Sequence, residues 1–446
     1  MIHHSVILDE EKCKGCINCI KRCPTEAIRV RNGKATIIEE RCIDCGQCIK
    51  VCPQRAKKAK YDPFEIIDNF KYKIALPAPS FYAQFHNMPG IDGILYGLKL
   101  IGFDDCFEVA LAAQAISNYT QKLLDENPSL PKPVISSACP AVVKLIRIRF
   151  PNLIENVLHI MAPVELAAKT AREEAVIKTG LKADEIGVFF ISPCAAKITT
   201  SKWPIGFEKP LIDGILSMSE VYKRLLSVLK YIKDPPKLSK ASYKGIGWAM
   251  IGGESTSLKT GNYISADGIE NIINVLEKIE DEKKLKGVEF VELNNCSVGC
   301  LGGCLTVEDP YVAKSRLGRI LKDEIGSDAE MNFGDELKWD LPLEYSPVMR
   351  LDDNMSQAIK KMGMIGEITQ SLPGLDCGSC GAPSCRSLAE DIVNGIATAD
   401  DCIFKLGERI RHLMTEMQVL QDYMPPPFRE SGNKKTKKTK RERTIE

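Results

Sequence analysis

Apolar residues fall into two rhythms along the chain. Short runs such as Lys73-Ile-Ala-Leu76, Val134-Ile-Ser136, Gly187-Val-Phe-Phe-Ile-Ser192 and Val288-Glu-Phe-Val-Glu-Leu293 hold the β-branched and aromatic side chains that suit strands. Between them, Val164 to Ile177, Ser217 to Lys230 and Ile269 to Ile279 repeat their apolar positions at helical spacing, as helices with one buried face do. Alternation of the two predicts a central α/β domain of largely parallel sheets covered on both faces. Its sites are then expected in the loops that follow the strands. Upstream, the β-like stretch Ala35-Thr-Ile-Ile38 and single helical turns predict a small α+β unit. Downstream, Leu388, Ile392 and Ile396 recur every four residues, which predicts a helix reaching back to Cys402. Leu406, Ile410, Leu413, Met417 and Leu420 predict a last helix, read as a packed domain end or else as a surface for a partner.

Length and charge narrow this little. A chain of 446 residues exceeds one ordinary core, and it is expected to divide into residues 1–60, 61–365, 366–428 and 429–446. With 60 basic and 59 acidic side chains the net charge is +1, which gives no global attraction to nucleic acid or to an acidic membrane. No apolar run is long enough to span a bilayer. The first residues lack the charged-then-apolar order of a secretory signal, so a cytoplasmic protein is expected. The basic stretch from Lys434 to Arg443 reads as a disordered, solvated tail.

The 18 cysteines carry the chemistry. Cys13, Cys16, Cys19 and Cys23 precede Pro24, and Cys42, Cys45, Cys48 and Cys52 precede Pro53, each cysteine recurring 29 positions later (42 − 13, 52 − 23). This doubled C-x2-C-x2-C-x3-C-P run is the two-cluster ferredoxin pattern, in which the fourth cysteine crosses to the other cluster. One 4Fe–4S cluster is therefore expected on Cys13, Cys16, Cys19 and Cys52, the other on Cys42, Cys45, Cys48 and Cys23. Zinc ribbons, the bland alternative, show two separated pairs. A second group, Cys377, Cys380, Cys385 and Cys402, starts in a Gly/Pro-rich loop and reads as a third 4Fe–4S site, or else as structural zinc. It is similar to a small 4Fe–4S module of redox proteins from anaerobes. Cys139, Cys194, Cys296 and Cys300 each follow a strand-like run. Singly each reads as a buried thiol, and together as a discontinuous four-ligand site.

Three motifs make that site specific: Ser136-Ser-Ala-Cys-Pro140, Ser192-Pro-Cys-Ala-Ala-Lys197 and Glu292-Leu-Asn-Asn-Cys-Ser-Val-Gly-Cys-Leu-Gly-Gly303. They resemble the active-site signatures of iron-only (FeFe) hydrogenases, and Ala78-Pro79 and Gly102-Phe-Asp104 with Phe107 match flanking motifs in the same order. The resemblance covers residues 1–365. It implies an H-cluster, a 4Fe–4S cubane on Cys139, Cys194, Cys296 and Cys300 with Cys300 bridging to a two-iron site that bears CO, cyanide and an azadithiolate. It further implies that Lys197 donates to a cyanide and that Ala78 and Pro79 roof the pocket, where a plain strand-to-helix turn is the alternative. Hydrogen and protons would be the substrates, electrons would pass to the ferredoxin clusters or the C-terminal cluster, and maturation proteins would insert the two-iron group.

Departures from the family pattern shape the functional expectation. Ala138 stands where high-turnover members have a proton-relaying cysteine, and no carboxylate occurs from Gln114 to Leu124, where the family places two glutamates. Ser192 and Asn294 replace methionines expected beside the two-iron site, and Cys304 replaces a glycine. A thiol exchanges protons near neutrality and a methyl group does not. Slow turnover follows, lower by two to four orders of magnitude or about 3–5 kcal/mol of barrier. That fits the sensory subgroup of the family, here without the PAS domain of many relatives, passing its state to a redox or signalling partner. A slow metabolic hydrogenase and a non-catalytic electron-transfer or cluster-assembly protein on the same fold are the competing readings. Cys304 and Cys106 read as packed thiols.

Overall fold

The two cysteine repeats fold alike because each places a left-handed residue at the same two points. Gly15 and Asp44 have φ of 64° and 55°, and Glu26 and Arg55 both have φ of 50°, again 29 positions apart. Each repeat then runs through one helical turn, Asn18–Lys21 and Gln47–Lys50. Strands β1 (Val6–Leu8) and β4 (Lys57–Ala59) pair antiparallel, as do β2 (Ile28–Arg31) and β3 (Lys34–Ile37). In this computed structural model, residues 4–86, 90–281, 285–323 and 333–423 are described. The segment 424–428 and the basic tail 429–446 lie outside them.

Strand-like runs in the middle of the chain become two parallel sheets, as their apolar character requires. β5 (Tyr72–Pro77), β6 (Asp105–Cys106), β8 (Ile186–Ser192) and β9 (Gly214–Ser217) form one, in the order β6-β5-β8-β9. All seven residues of β8 are buried, so it carries no solvent-facing alternation. β7 (Val134–Ile135), β10 (Tyr263–Asp267) and β11 (Phe290–Asn294) form the other, in the order β10-β11-β7. Helices Pro163–Thr179 and Met218–Leu229 lie against the first sheet. Helix Ile269–Glu280 lies against the second through Ile269, Ile272 and Leu276. Each sheet thus has its own apolar core, the first around Phe189 and Phe190, the second around Val291 and Leu293.

The chain divides into two compact units, one comprising residues up to Ala358 together with Gly381–Pro383, the other beginning at Ile359. The cysteine repeats and both sheets belong to the first. In the second, helix Cys385–Val393 ends earlier than its apolar spacing predicts. Gly395 takes a left-handed conformation (φ 72°) and the Ile396 amide donates to the Asp391 carbonyl at 2.8 Å, which closes the helix. Ile396 is then 65 % exposed, and a short 3-10 turn, Ala399–Asp401, delivers Cys402. The last helix, Ile403–Tyr423, corrects a second expectation. Leu406, Ile410, Leu413, Met417 and Leu420 are 41 to 64 % exposed, so the helix is not a packed domain end. Helical spacing reports one apolar face and says nothing of what covers it.

Candidate functional site

Three parallel strands deliver four cysteines to one place. β7 leads to Cys139 and β8 to Cys194, each at the first turn of a helix, Pro140–Arg149 and Ala195–Lys202. β11 leads to Cys296, and a tight turn through Val298 and Gly299, both left-handed, brings Cys300 back beside it. A Cβ on Gly299 would sit 2.6 Å from the Ile251 amide nitrogen, so only glycine fits that turn. All four cysteines line a single cavity of about 410 Å³. Helix N-termini at Cys139 and Cys194 favour negative charge there.

Against that cavity lies a second one of about 580 Å³. Its walls are mainly apolar, among them Ala78, Pro79, Val109, Ala113, Phe190 and Trp248. Cys300, Ala138, Pro193, Lys197 and Asn294 line both cavities. Cys300 therefore stands on their common wall. Polar groups reach the second cavity at a few points. Lys197 Nζ donates to the Ala138 carbonyl at 3.0 Å. Asn294 Nδ2 donates to Glu292 Oε1 at 3.0 Å. The Ser80 hydroxyl is buried with no hydrogen-bond partner among the described residues. An orphaned hydroxyl and an ammonium with donors to spare suit a small anionic or polar group held in this space.

Sequence reasoning missed two residues here, Glu254 and Glu292, both buried carboxylates on the wall of the second cavity. Glu292 accepts from the Gly252 and Ser255 amides at 2.9 Å each. Glu254 accepts from the Ser136 hydroxyl at 2.6 Å, and that hydroxyl in turn accepts from the Ala138 amide at 3.2 Å. Burial, and then the Glu292 charge beside it, hold the Glu254 carboxyl well above the usual range. Burial raises Glu292 likewise. A carboxylate inside the apolar strand Phe290–Asn294 was the signal available for Glu292. Glu254 follows Gly252-Gly253 in an irregular segment and carried none.

Ser192 does not reach the second cavity. Its hydroxyl donates to the Cys194 carbonyl at 3.0 Å and accepts from the Cys194 amide at 3.3 Å, so it fixes the turn that presents this cysteine. A polar group on the wall of the second cavity is thus supplied by Asn294 and not by Ser192. Cys304 packs against the cysteine-rich loop, since a Cβ on Gly46 would lie 2.9 Å from its Sγ. Burial pushes its thiol up to about 11. Cys106 is likewise held in the core, its thiol donating to the Leu95 carbonyl.

In the N-terminal unit, Cys23, Cys42, Cys45 and Cys48 line one cavity of about 340 Å³, the crossed set expected from the repeat. Cys23 and Cys52 accept equivalent amide bonds, from Ala27 and Ala56, both at 3.2 Å. Burial raises Cys48 and Cys300 to about 12, and raises Cys194 and Cys296 as well. Bare thiols so placed keep their protons, and metal binding is what removes them. The Lys57 ammonium is buried with no hydrogen-bond partner among the described residues. Such a charge fits an anionic cluster beside it. All 18 cysteines are free of disulfides. In the second unit, Cys377 and Cys380 lie on the loop, Cys385 starts its helix, where its amide donates to Asp376 Oδ1 at 2.6 Å, and Cys402 is buried.

Comparison with known proteins agrees with this geometry. Residues 71–230 match the family described as iron only hydrogenase large subunit, C-terminal domain. The central domain is thus similar to iron-only hydrogenases. Ahead of this segment, residues 5–53 match a 4Fe-4S dicluster domain, and after it residues 372–404 match an Fe-S cluster family. Among curated proteins, the periplasmic Fe hydrogenase large subunit of Nitratidesulfovibrio vulgaris is 28 % identical over 214 residues, 44 % of this chain and 50 % of that one. An uncharacterized protein of Methanocaldococcus jannaschii is 39 % identical over 59 residues, 13 % of this chain and 26 % of its own. The chain thus spans half or less of these curated relatives. Similar solved structures include two single-site variants of the FeFe hydrogenase from Chlamydomonas reinhardtii. One has a TM-score of 0.47 at 14 % identity, covering 62 % of this chain and 95 % of that chain. The other has 0.45 at 15 %, covering 60 % and 87 %.

Proposed function

We propose that this protein binds hydrogen and converts it, slowly and reversibly, into two protons and two electrons, and that it serves as a hydrogen sensor. The observation that carries this reading is Cys300 on the wall shared by a four-cysteine cavity and a mainly apolar pocket. Cys139, Cys194, Cys296 and Cys300 would hold the cubane, and Cys300 would also hold the two-iron group. When bound, that group supplies the open iron and local base at which hydrogen is split.

The chain's own residues do the rest. Phe190, Trp248, Val109 and Ala113 keep bulk water from the pocket, and Ala78 and Pro79 roof it. Lys197 offers an ammonium to an anionic ligand, as Ser80 offers a hydroxyl. Ala138 brings no proton carrier. Glu254, bonded to Ser136 and raised by burial, is a carboxyl on this wall able to keep a proton near neutral pH. Such a pocket suits detection better than flux. Electrons would leave by the N-terminal clusters or the C-terminal one, toward a redox or signalling protein. The exposed apolar stripe of the last helix offers that partner a surface. Among the described residues no helix is long and apolar enough to cross a membrane. A cytoplasmic location and dependence on maturation proteins belong to the same proposal.

The test is infrared spectroscopy of the full chain after insertion of the two-iron group, under argon and then under hydrogen. Sharp CO and cyanide bands that shift reversibly with hydrogen are expected. Full iron loading without such bands would overturn the reading and leave an electron-transfer or assembly protein.

A further inference from the structure

The doubled repeat is nearly symmetric in cysteine spacing and capping bonds, and among the positions buried in both repeats it changes character at one. Ile28 opens β2, and the residue 29 positions later, Lys57, opens β4 (57 − 28 = 29). Both are buried, at 3 % and 2 % exposure. An apolar side chain in one repeat is thus answered by an ammonium in the other. Packing alone does not call for it, since the first repeat fills the same place with a branched hydrocarbon.

A buried ammonium without a partner is among the costliest groups a fold can hold. Lys57 Nζ makes no hydrogen bond among the described residues. The charged influence it exerts is on Cys19 and Cys48, whose thiols burial raises and Lys57 draws back down. Cys19 belongs to the first ligand set and Cys48 to the second, and they too are 29 positions apart. The buried lysine thus acts on one cysteine of each ligand set.

We propose that Lys57 is a shared counter-charge of the two N-terminal 4Fe–4S clusters and raises the reduction potential of both. Each cluster gains one negative charge on reduction, and a fixed cation in a low-dielectric interior favours the reduced form. The effect is expected on the N-terminal pair, the ligand sets whose cysteines feel the Lys57 charge. This rests on the two-cluster reading of the repeat and is independent of hydrogen chemistry at Cys300.

Potentiometric titration of the iron-loaded full chain, followed by electron paramagnetic resonance, tests it. Lys57→Ile, which installs the residue of the first repeat, is expected to move both N-terminal signals to lower potential while the other cluster signals stay. Lys57→Arg, which keeps the charge, is expected to hold them near the native values. Iron and sulfide content equal to the native chain certifies that the clusters are present. Unchanged N-terminal potentials in Lys57→Ile at full loading overturn the proposal. Should that variant load poorly, Lys57→Arg and Ile28→Lys carry the test, the latter expected to raise the potentials and overturning the idea if it leaves them in place.

Discussion

At the scale of single residues, the proposed slow turnover is tested at position 138. Its backbone amide donates to Ser136 Oγ, which donates to Glu254, so the main chain at 138 lies two hydrogen bonds from a buried carboxyl. Ala138→Cys is expected to raise hydrogen turnover of the loaded protein by roughly a hundredfold, the usual contribution of a positioned acid–base group. An unchanged rate in a hydrogen oxidation assay would place the limit at Asn294 or in the carboxylate-free stretch from Gln114 to Leu124. Glu254 itself titrates against the fold. Burial and the neighbouring Glu292 raise its pKa above the unfolded value of about 4.3. Between those two values the folded chain keeps a proton that the unfolded chain has lost, so stability falls as pH rises through the window. Denaturant midpoints of the native chain are expected to drop from about pH 6 to about pH 8, and Glu254→Gln is expected to flatten that drop. Equal slopes for the two chains would contradict it.

Among the elements, legibility tracked how local the cause was. β8 was readable because a fully buried strand is written as a nearly unbroken apolar run, β5 and β11 because most of their residues are buried, and the cysteine loops because ligand spacing is written in one stretch of chain. The repeat implied a crossed ligand set, and Cys23, Cys42, Cys45 and Cys48 line one cavity. What failed depended on surroundings. The helix after Cys385 stopped at Gly395 because a left-handed residue overrode the apolar period. The last helix kept its period and proved exposed, since an apolar stripe looks the same whether covered or bare. Ser192 was misread because a serine two residues before a cysteine can turn to the backbone as readily as to a pocket. Glu254 was invisible because its partners, Ser136 and Glu292, come from distant strands.

For the molecule as a whole, one carboxylate ties the cysteine repeats to the central α/β domain. Asp44, wholly buried as a side chain, accepts from the Ser5 amide, Lys144 Nζ and Thr199 Oγ1, each at 2.8 Å. Asn295 Nδ2 adds a bond to the Cys45 carbonyl at 2.7 Å. Asp44→Asn keeps the left-handed backbone and removes the charge, leaving Lys144 without its counter-ion. It is expected to cost about 3–5 kcal/mol, as breaking a buried ion pair does, measured as a lower denaturation midpoint of the loaded chain. A midpoint within ~0.5 kcal/mol of the native value would show that the join does not depend on this charge.

That join has a consequence for how electrons travel. A ferredoxin that diffuses must collide, dock and depart, and its delivery slows in a viscous medium. Here the second ligand loop is bonded through Asp44 and Cys45 to the same loops and helices that present Cys194 and Cys296. Separation between donor and acceptor is fixed at folding, so transfer between them is expected to ignore added glycerol and to leave only the final hand-off to the partner subject to collision.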